Sequence, residues 1–405
     1  MAESIKDRVA IIGMGCTQFG ERWDTSSFDL IIESAYEAYE DAGVGPKDIQ
    51  AAWYATIGFI GTGQAMTSSS ITGAGLSMPL KLPYIPVSHN ENACGTGSDA
   101  LRNAAFSVAA GIYDLVLVVG VEKLKDAGYG GLGQMGIPPH PVYEGGITAP
   151  GMYALAATAY FNKWGIPPDE GKRLIGMVSV KSHHNGARNP KAHLRREVTL
   201  EQVSRAPIIA WPLGLFDCCG VTDGGAAAIL CPAKDAKKYR DDYVLIKGFG
   251  LSIGPGMGSV RTDYDFSWWD ETEHAGRYVY ADAGIKNPRQ ELSMAEVHDC
   301  FSISEIIAVE SLGLTEPGHA KEDIESGAWT QEGEIPVNLS GGLKAFGHPI
   351  GASGCREAYE IYKQLQGKAE DSTRQLKNPR LGVVHNQGGL PGKFQCAVAI
   401  YGLPE

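Results

Sequence analysis

The chain has 405 residues, of which 43% are hydrophobic and 20% are charged, so it can bury a large core and is not a disordered protein. Its formal net charge is −12 and it has no cluster of lysines and arginines, which argues against nucleic acid as a partner. It has no apolar run of the roughly 20 residues that span a bilayer and no signal-peptide core, which predicts a cytoplasmic protein. Its eight cysteines contain no Cys-x-x-Cys pair, which predicts reduced thiols and no metal site.

Strands and helices alternate through the first 120 residues. Residues 9–15 form a predicted buried strand that ends in glycines, but the third glycine and the helix of a dinucleotide-binding motif do not follow. Apolar residues at helical spacing, closed by Gly43, predict a helix over residues 28–42. The other elements predicted here are a strand over 52–58, an extended run over 82–87, a helix over 98–111 and a strand over 113–120.

A long insert then interrupts this alternation. Residues 127–151 are rich in Gly, Pro, Tyr and Met, and two helices are predicted after them, at about 153–163 and 169–185. Long inserts between strands usually act as lids or binding surfaces. Strands resume at 225–230, and a second series follows: a strand at 243–250, an extended run at 293–298, helices at 302–313 and 351–367, and strands at 381–385 and 394–401. The order of this series resembles that of the first and indicates a duplicated α/β unit.

Cys94 lies where an extended segment turns into a helix. A helix start presents free backbone N–H groups and the positive end of the helix dipole, which lower the pKa of a thiol and can hold an oxyanion. The position therefore suits a nucleophile. It is equally consistent with a small core residue, because free cysteines are usually buried and inert.

Three further segments combine tight turns with reactive side chains. They are His-Asp-Cys-Phe at residues 298–301, Gly-His-Pro at residues 347–349 and Asn-Gln-Gly-Gly at residues 386–389. His348 is fixed between Gly and Pro at the start of a predicted helix, so it can take a proton from a thiol or donate to an oxyanion. The alternative is a histidine that only packs against its turn.

Together these segments resemble the thiolase family. Cys94 lies in a Cys-x-Thr/Ser turn, and residues 341–354 match the family's Gly-Gly…Gly-His-Pro-x-Gly-Ala-Ser-Gly pattern. Most thiolases have Asn-Glu-Ala-Phe where this chain has His-Asp-Cys-Phe, and Cys-x-Gly-Gly where it has Asn-Gln-Gly-Gly. Both departures are similar to sterol-carrier-protein-type thiolases and their bacterial and archaeal branch. The resemblance covers nearly the whole chain, with the motifs in the family's order.

The resemblance implies an α/β thiolase fold. Two similar βαβαβ halves, residues 1–235 and 236–405, would form a layered α-β-α-β-α sandwich. A loop region at about residues 122–220 would be inserted in the first half. The resemblance also implies at least a homodimer.

The resemblance assigns roles to five residues. Cys94 would attack the keto carbonyl of a 3-oxoacyl-CoA, and carbon–carbon cleavage would leave an acyl-enzyme. His348 would activate Cys94 and share the first oxyanion site with His298. Cys300 would take the acid/base role of the absent C-terminal cysteine, and the backbone N–H groups of Cys94 and Gly388 would form the second oxyanion site.

The implied function is a CoA-dependent acyltransferase of β-oxidation or another branch of lipid metabolism, with coenzyme A as co-substrate and the direction of reaction open. A retro-aldolase acting on a CoA-thioester side chain is an alternative, which Cys94 argues against because such relatives generally lack that cysteine. A non-catalytic scaffold would need none of Cys94, Cys300 and His348. Related proteins often work with a small zinc-ribbon/OB-fold subunit, and the chain shows no obvious basic patch for the phosphates of CoA, so such a partner is expected.

Other reactive residues favour structural roles. Tyr129, Tyr143 and Tyr153, around the insert, would suit a bulky or aromatic acyl group or ordinary packing equally. His183 and His184 point about 100° apart on a helix, so they do not predict a metal site. The vicinal pair at residues 218–219 is not expected to form a disulfide.

Overall fold

The computed structural model describes residues 4–58, 72–125, 148–256 and 263–404. Nine strands of these residues form one mixed sheet with two similar halves. The first half contains β1 (Val9–Cys16), β2 (Ala51–Ala55), β3 (Val87–Asn90), β4 (Val116–Glu122) and β7 (Gly224–Pro232). The second half contains β8 (Val244–Ile253), β9 (Met294–Val297), β10 (Leu381–Gly388) and β11 (Gln395–Gly402).

The strand order is symmetric about the centre of the sheet. It runs β3-β2-β4-β7-β1-β8-β11-β10-β9, so the first strand of each half, β1 or β8, lies at the centre. The last strand of the same half, β7 or β11, pairs with it in antiparallel orientation. Within the sheet, the two halves are joined by the pairing of β1 with β8, over Ala10↔Leu245 and Ile11↔Val244. This duplicated arrangement confirms the predicted thiolase fold.

Twelve helices of the described residues surround the sheet. In the first half they are α1 (Ser27–Ala42), α2 (Ala74–Leu80) and α3 (Thr96–Ala109). Between β4 and β7 are α4 (Ala149–Lys163), α5 (Pro168–Ala187), α6 (Leu200–Arg205) and a small hairpin of β5 (Ile208–Ala210) and β6 (Leu213–Gly214). In the second half they are α7 (Asp270–Ala283), α8 (Pro288–Glu291), α9 (Ser302–Ser311), α10 (Ala320–Ser326), α11 (Gly342–Ala345) and α12 (Ser353–Leu365).

Two of these helices, α3 and α12, form the central layer and contact strands of both halves. Helices α1 and α2 cover the outer face of the first half, and α7 and α9 cover the outer face of the second. Strand β1 alternates between the two cores: Val9 and Ile11 face the central layer, whereas Ala10 and Ile12 face α1. The result is the α-β-α-β-α layering that the sequence predicts.

The starts of α3 and α12 pack closely because small residues line their contact. A methyl group on Gly97 would lie 2.8 Å from the Gly351 carbonyl oxygen, and one on Gly354 would lie 2.2 Å from Ser98 Oγ. Any larger side chain at Gly97 or Gly354 would push these helix starts apart. The glycines of both motifs therefore bring the segment before α3, with Cys94, next to the segment before α12, with His348.

Several parts of the chain differ from the sequence prediction, and three of them show why. The extended run predicted at residues 82–87 is mostly irregular, and the strand lies at Val87–Asn90, because Pro83 and Pro86 cannot donate to a strand ladder. Helix α7 was not predicted, although its acidic first turn and the following Gly284 are typical helix signals. The β5–β6 hairpin was also missed, because strands of three and two residues leave no readable pattern.

No helix in the described ranges is long and apolar enough to cross a membrane.

Candidate active site

Cys94 is held in a tight turn between β3 and α3. The turn is closed by hydrogen bonds from the Gly95 N–H to the Asn92 carbonyl (3.1 Å) and from the Thr96 N–H to the Ala93 carbonyl (3.2 Å). Ala93 has a φ of 46°, in the left-handed region that non-glycine residues rarely occupy. Cys94 is 8% exposed. The sequence prediction that it lies at the entry to a helix is confirmed.

His348 lies between α11 and α12, and its ring is fixed by Ser353. The distance between His348 Nδ1 and Ser353 Oγ is 2.7 Å, and the same hydroxyl donates to the Pro349 carbonyl at 3.1 Å. Because that hydroxyl has a single proton, Nδ1–H is the donor to Ser353, and Nε2 carries the lone pair. His348 Nε2 is buried and has no hydrogen-bond partner among the described residues. It is therefore available as a base.

Cys94, His298 and His348 meet in one buried cluster. One ligand atom from each, the Cys94 sulfur and a ring nitrogen of each histidine, lie within 4.8 Å of one another. The two imidazole rings are perpendicular, with centroids 5.1 Å apart. Cys94 thus shares one small site with two histidines that lie more than 200 positions further along the chain, as the sequence predicts.

The cluster is uncharged at rest. Burial, together with the nearby carboxyl groups of Glu122 and Glu357, raises the pKa of Cys94 to about 12, and a backbone hydrogen bond opposes this rise. Burial, and then the charge of Arg356, lowers the pKa of His348 to about 3. A backbone N–H at this helix start lowers the thiol pKa, as expected, but desolvation outweighs it, so the pKa of the buried thiol lies above its ordinary value. The thiol therefore keeps its proton in the free protein.

His298 is oriented from behind by Asn386. The Asn386 side-chain amide donates to Glu357 Oε2 at 2.9 Å and lies 3.4 Å from His298 Nδ1. An amide N–H facing Nδ1 favours the tautomer in which His298 Nε2 carries the proton. Burial, followed by the nearness of the His348 ring, lowers the pKa of His298 well below its ordinary value. A neutral Nε2–H donor suits an oxyanion site.

Cys300 lies on the other side of the cluster, between β9 and α9. It is 2% exposed, and the Cys219 N–H donates to its carbonyl at 2.9 Å. Burial raises the pKa of the Cys300 thiol well above its ordinary value, the neighbouring thiols of Cys219 and Cys94 raise it further, and a hydrogen bond with the Tyr153 side chain lowers it. Cys300 is therefore a neutral thiol near the nucleophile.

Gly388 closes the site at the end of β10. A methyl group on Gly388 would lie 2.6 Å from the Cys94 backbone nitrogen, so only glycine allows these two backbone segments to touch. The five residues singled out from the sequence thus lie on four loops that meet at the ends of β3, β9 and β10 and before α12.

Several residues of the site were not found from the sequence. Glu122, at the end of β4, accepts from the Thr56 hydroxyl at 2.8 Å and from the Ile57 N–H at 2.5 Å, and so orders the chain beside Cys94. Arg356 pairs with Glu296 at 2.8 Å beneath His298. Glu122 could have been found from the sequence, because a carboxylate at the end of an apolar strand is a recognisable signal.

The Cys94, His298 and His348 donor atoms are of the types that bind Zn²⁺. A cation held there would occupy the thiol and both ring nitrogens. It would therefore compete with acyl transfer instead of assisting it.

Tyr153 packs in an aromatic cluster beside Cys300. Its ring centroid lies 4.6 Å from that of Phe301 and 6.2 Å from those of Trp269 and Phe394. Tyr129 and Tyr143 lie outside the described residues. The sequence left Tyr153 open between contact with an acyl group and ordinary packing, and in the structure it packs against other rings.

A cavity of about 660 Å³ lies next to the segment that carries His348. Arg195, Arg196 and Arg205 line it, and the sequence analysis did not single them out. The adjoining backbone of Leu194 donates to the Ala345 carbonyl at 2.9 Å, which ties this segment to the chain just before Gly347. The cavity is thus lined by three arginines, one of which, Arg205, pairs with Glu201 at 2.9 Å, and it adjoins the chain before Gly347.

The remaining predicted structural residues behave as expected. His183 is buried and bonds the Arg196 carbonyl at 2.9 Å, whereas His184 is exposed and lies 3.0 Å from Glu197. All eight cysteines are free, including the pair at residues 218–219.

Comparisons with known proteins cover almost the whole chain. The family model described as "Thiolase, N-terminal domain" matches residues 9–234, and "Thiolase C-terminal domain-like" matches residues 258–401. The acetyl-CoA acetyltransferase of Methanothermobacter thermautotrophicus is 37% identical over 95% of this chain and 97% of its own length. The benzoylsuccinyl-CoA thiolase subunit BbsB of Thauera aromatica is 28% identical over 95% of this chain and 96% of its own. The solved structure of the Ltp2-ChsH2(DUF35) aldolase superposes with a TM-score of 0.82 at 24% identity, covering 98% of both chains.

Proposed function

The chain belongs to the thiolase family, and from this premise we propose how its residues carry out acyl transfer. It is a CoA-dependent acyltransferase of the thiolase type. The observation that supports the mechanism below best is the unpartnered Nε2 of His348, which lies in one buried cluster with the Cys94 thiol. A base placed beside a nucleophile that is protonated at rest is the arrangement that covalent catalysis requires.

In the cleavage direction, His348 Nε2 takes the Cys94 proton as the sulfur attacks the keto carbonyl of a 3-oxoacyl-CoA. The bond between the α and β carbons breaks, and its electron pair leaves with the CoA thioester as an enolate. The Nε2–H of His298 donates to the oxygen that gains charge in this step. Cys300 protonates the departing carbon.

The second half-reaction transfers the acyl group from Cys94 to the thiol of CoA. Cys300, now a thiolate, takes the proton of the CoA thiol, whose sulfur attacks the acyl-enzyme. The bond between the acyl carbon and the Cys94 sulfur breaks, and the Cys94 thiolate takes back the proton held by His348. The Cys94 and Gly388 N–H groups hold the oxyanion of this step. Run backwards, the same steps form a carbon–carbon bond from two acyl-CoA molecules.

The acyl group is small in this proposal, as in acetoacetyl-CoA. Tyr153, Phe301 and Phe394 fill the space beside Cys300 with rings in mutual contact. The 37% identical relative named acetyl-CoA acetyltransferase supports the same size. A bulky acyl group would have to displace these rings.

The basic cavity lined by Arg195, Arg196 and Arg205 is the proposed site for the phosphates of CoA, because guanidinium groups bind phosphate in a bidentate fashion.

Strand β3, at the edge of the sheet and just before the Cys94 turn, is the proposed contact of a homodimer, since an unpaired edge strand is a template for pairing with a second chain.

The proposal is tested by incubating the protein with acetoacetyl-CoA and mapping the adduct by mass spectrometry. We expect an acetyl group on Cys94. Because the pKa of His348 is about 3, the base stays deprotonated, and the acylation rate should hold as the pH falls from about 8 to about 6. Acetylation of another residue in an active enzyme, or a rate that falls as an ordinary histidine titrates, would contradict this mechanism.

We further expect a small zinc-ribbon/OB-fold subunit to raise activity. The name of the Ltp2-ChsH2(DUF35) aldolase joins a chain of this fold to a second protein. In addition, the three exposed arginines of the cavity would contact only part of a long CoA molecule. Adding such a subunit from the same genome should raise thiolysis at least about tenfold. The subunit added to the Cys94→Ser variant is the control and should give none. Full thiolysis by the chain alone would refute the need for a partner.

A further inference from the structure

Gln395 is a buried amide without partners, placed against the nucleophile. It is the first residue of β11 and pairs with Gly388, the last residue of β10. It is 8% exposed, yet neither its Nε2 nor its Oε1 has a hydrogen-bond partner among the described residues. Buried polar groups are nearly always hydrogen-bonded, so an amide with both ends unpaired points to a group that is absent from the free protein.

The amide lies between the two glycines next to the Cys94 backbone N–H. A methyl group on Gly95 would lie 2.7 Å from Gln395 Nε2 and 2.8 Å from its Oε1. A methyl group on Gly388 would lie 2.3 Å from the same Nε2 and 2.6 Å from the Cys94 nitrogen. The absence of a side chain at both positions therefore leaves the space that the Gln395 amide fills.

We propose that Gln395 is a catalytic residue whose Nε2–H donates a third hydrogen bond to the oxyanion held by the Cys94 and Gly388 N–H groups. The proposal rests on the function given above, since it requires an acyl group on Cys94. A carbonyl oxygen placed at those two N–H groups lies beside the Gln395 amide, which packs on both glycines. This donor is already fixed by β11, so it costs no reorganisation during the reaction.

A packing role gives a different expectation. If Gln395 only fills space, an apolar side chain of similar length should serve as well, because it leaves no polar atom unpaired. Gln395→Met is such a change: it retains the length and removes the donor. Gln395→Glu keeps the shape and places a carboxylate where the oxyanion develops.

The experiment is acetylation of the full-length protein by ¹³C-carbonyl-labelled acetyl-CoA, followed by mass spectrometry and by infrared spectroscopy of the labelled thioester. We expect Gln395→Met to slow acetylation by about 10²-fold and to move the carbonyl band to higher wavenumber, because a hydrogen bond to the carbonyl oxygen is lost. Gln395→Glu should be at least as slow, and it keeps the test available if the methionine variant does not fold. The control is Gln364→Met, which removes a buried amide bonded to Glu360 and Arg374, remote from Cys94.

The folded Gln364→Met control should be acetylated at the wild-type rate, and its carbonyl band should not shift, even if its free energy of unfolding is lower. Gln395→Met with the wild-type rate and band position would overturn the proposal while leaving the acyl-enzyme intact. A wild-type protein that gives no labelled thioester at all would instead overturn the proposed function, and with it the role of Gln395.

Discussion

Replacing Cys94 by serine is expected to abolish acyl-enzyme formation, with a loss of about 10⁴-fold or more in the acylation rate. A serine hydroxyl is a far weaker nucleophile than a thiolate, and in this site even the thiol must be deprotonated, since burial raises its pKa to about 12. The rate is measured as acetyl incorporation by mass spectrometry. The fold should survive, because the change is nearly isosteric and the turn is held by backbone hydrogen bonds.

The matched control is Cys231→Ser. Cys231 is a fully buried cysteine of β7 in the outer core, so the control makes the same chemical change away from the site. We expect it to lower stability modestly and to leave the acylation rate unchanged. Acylation of Cys94→Ser at a wild-type rate, or an equal loss in Cys231→Ser, would show that Cys94 is not the nucleophile.

Replacing Cys300 by alanine is expected to lower thiolysis by about 10²–10⁴-fold, the usual contribution of a general acid/base. The nucleophile, His348 and both oxyanion sites remain in this variant. It should therefore still be slowly acylated at Cys94 by acetyl-CoA, a step that needs no proton on the departing carbon. Measuring acylation and thiolysis side by side separates this defect from that of Cys94→Ser.

Cys219→Ala is the control for this second experiment. Cys219 donates its N–H to the Cys300 carbonyl, and its thiol neighbours that of Cys300. Its loss should change thiolysis by no more than a few-fold. A large loss in Cys219→Ala with near-normal turnover in Cys300→Ala would assign the acid/base role to the neighbouring thiol and contradict the role given to Cys300.

Local patterns in the sequence predicted the individual elements and a duplicated α/β unit, whereas the resemblance of its motifs to the thiolase family predicted the full fold and the roles of the reacting groups. Strands such as β1 and helices such as α1 follow from apolar periodicity and end signals, which reflect local hydrogen bonding and burial. The Cys-x-Thr turn and the Gly-His-Pro motif are short runs whose spacing carries their chemistry. The boundary near residue 235 and the catalytic roles stay predictions, since no observation here tests them.

The state of the site was decided only by the tertiary structure. Burial of Cys94 raises a pKa that its helix start alone would lower, and desolvation depends on every segment packed around a residue. The tautomer of His348 follows from the bonds of Ser353, and that of His298 from Asn386, which is 88 residues away in sequence.

The remaining parts of the site also depend on long-range packing. Arg195, Arg196 and Arg205 become a basic pocket only when α6 and the preceding loop fold around one cavity. In the sequence, Gln395 is an ordinary strand residue. In the structure, the pairing of β10 and β11 places its amide between two glycines beside Cys94. The sequence by itself determined which groups are proposed to react, because short motifs carry the resemblance to the thiolase family. Proton positions and supporting donors were decided by contacts between distant segments, which no local pattern encodes.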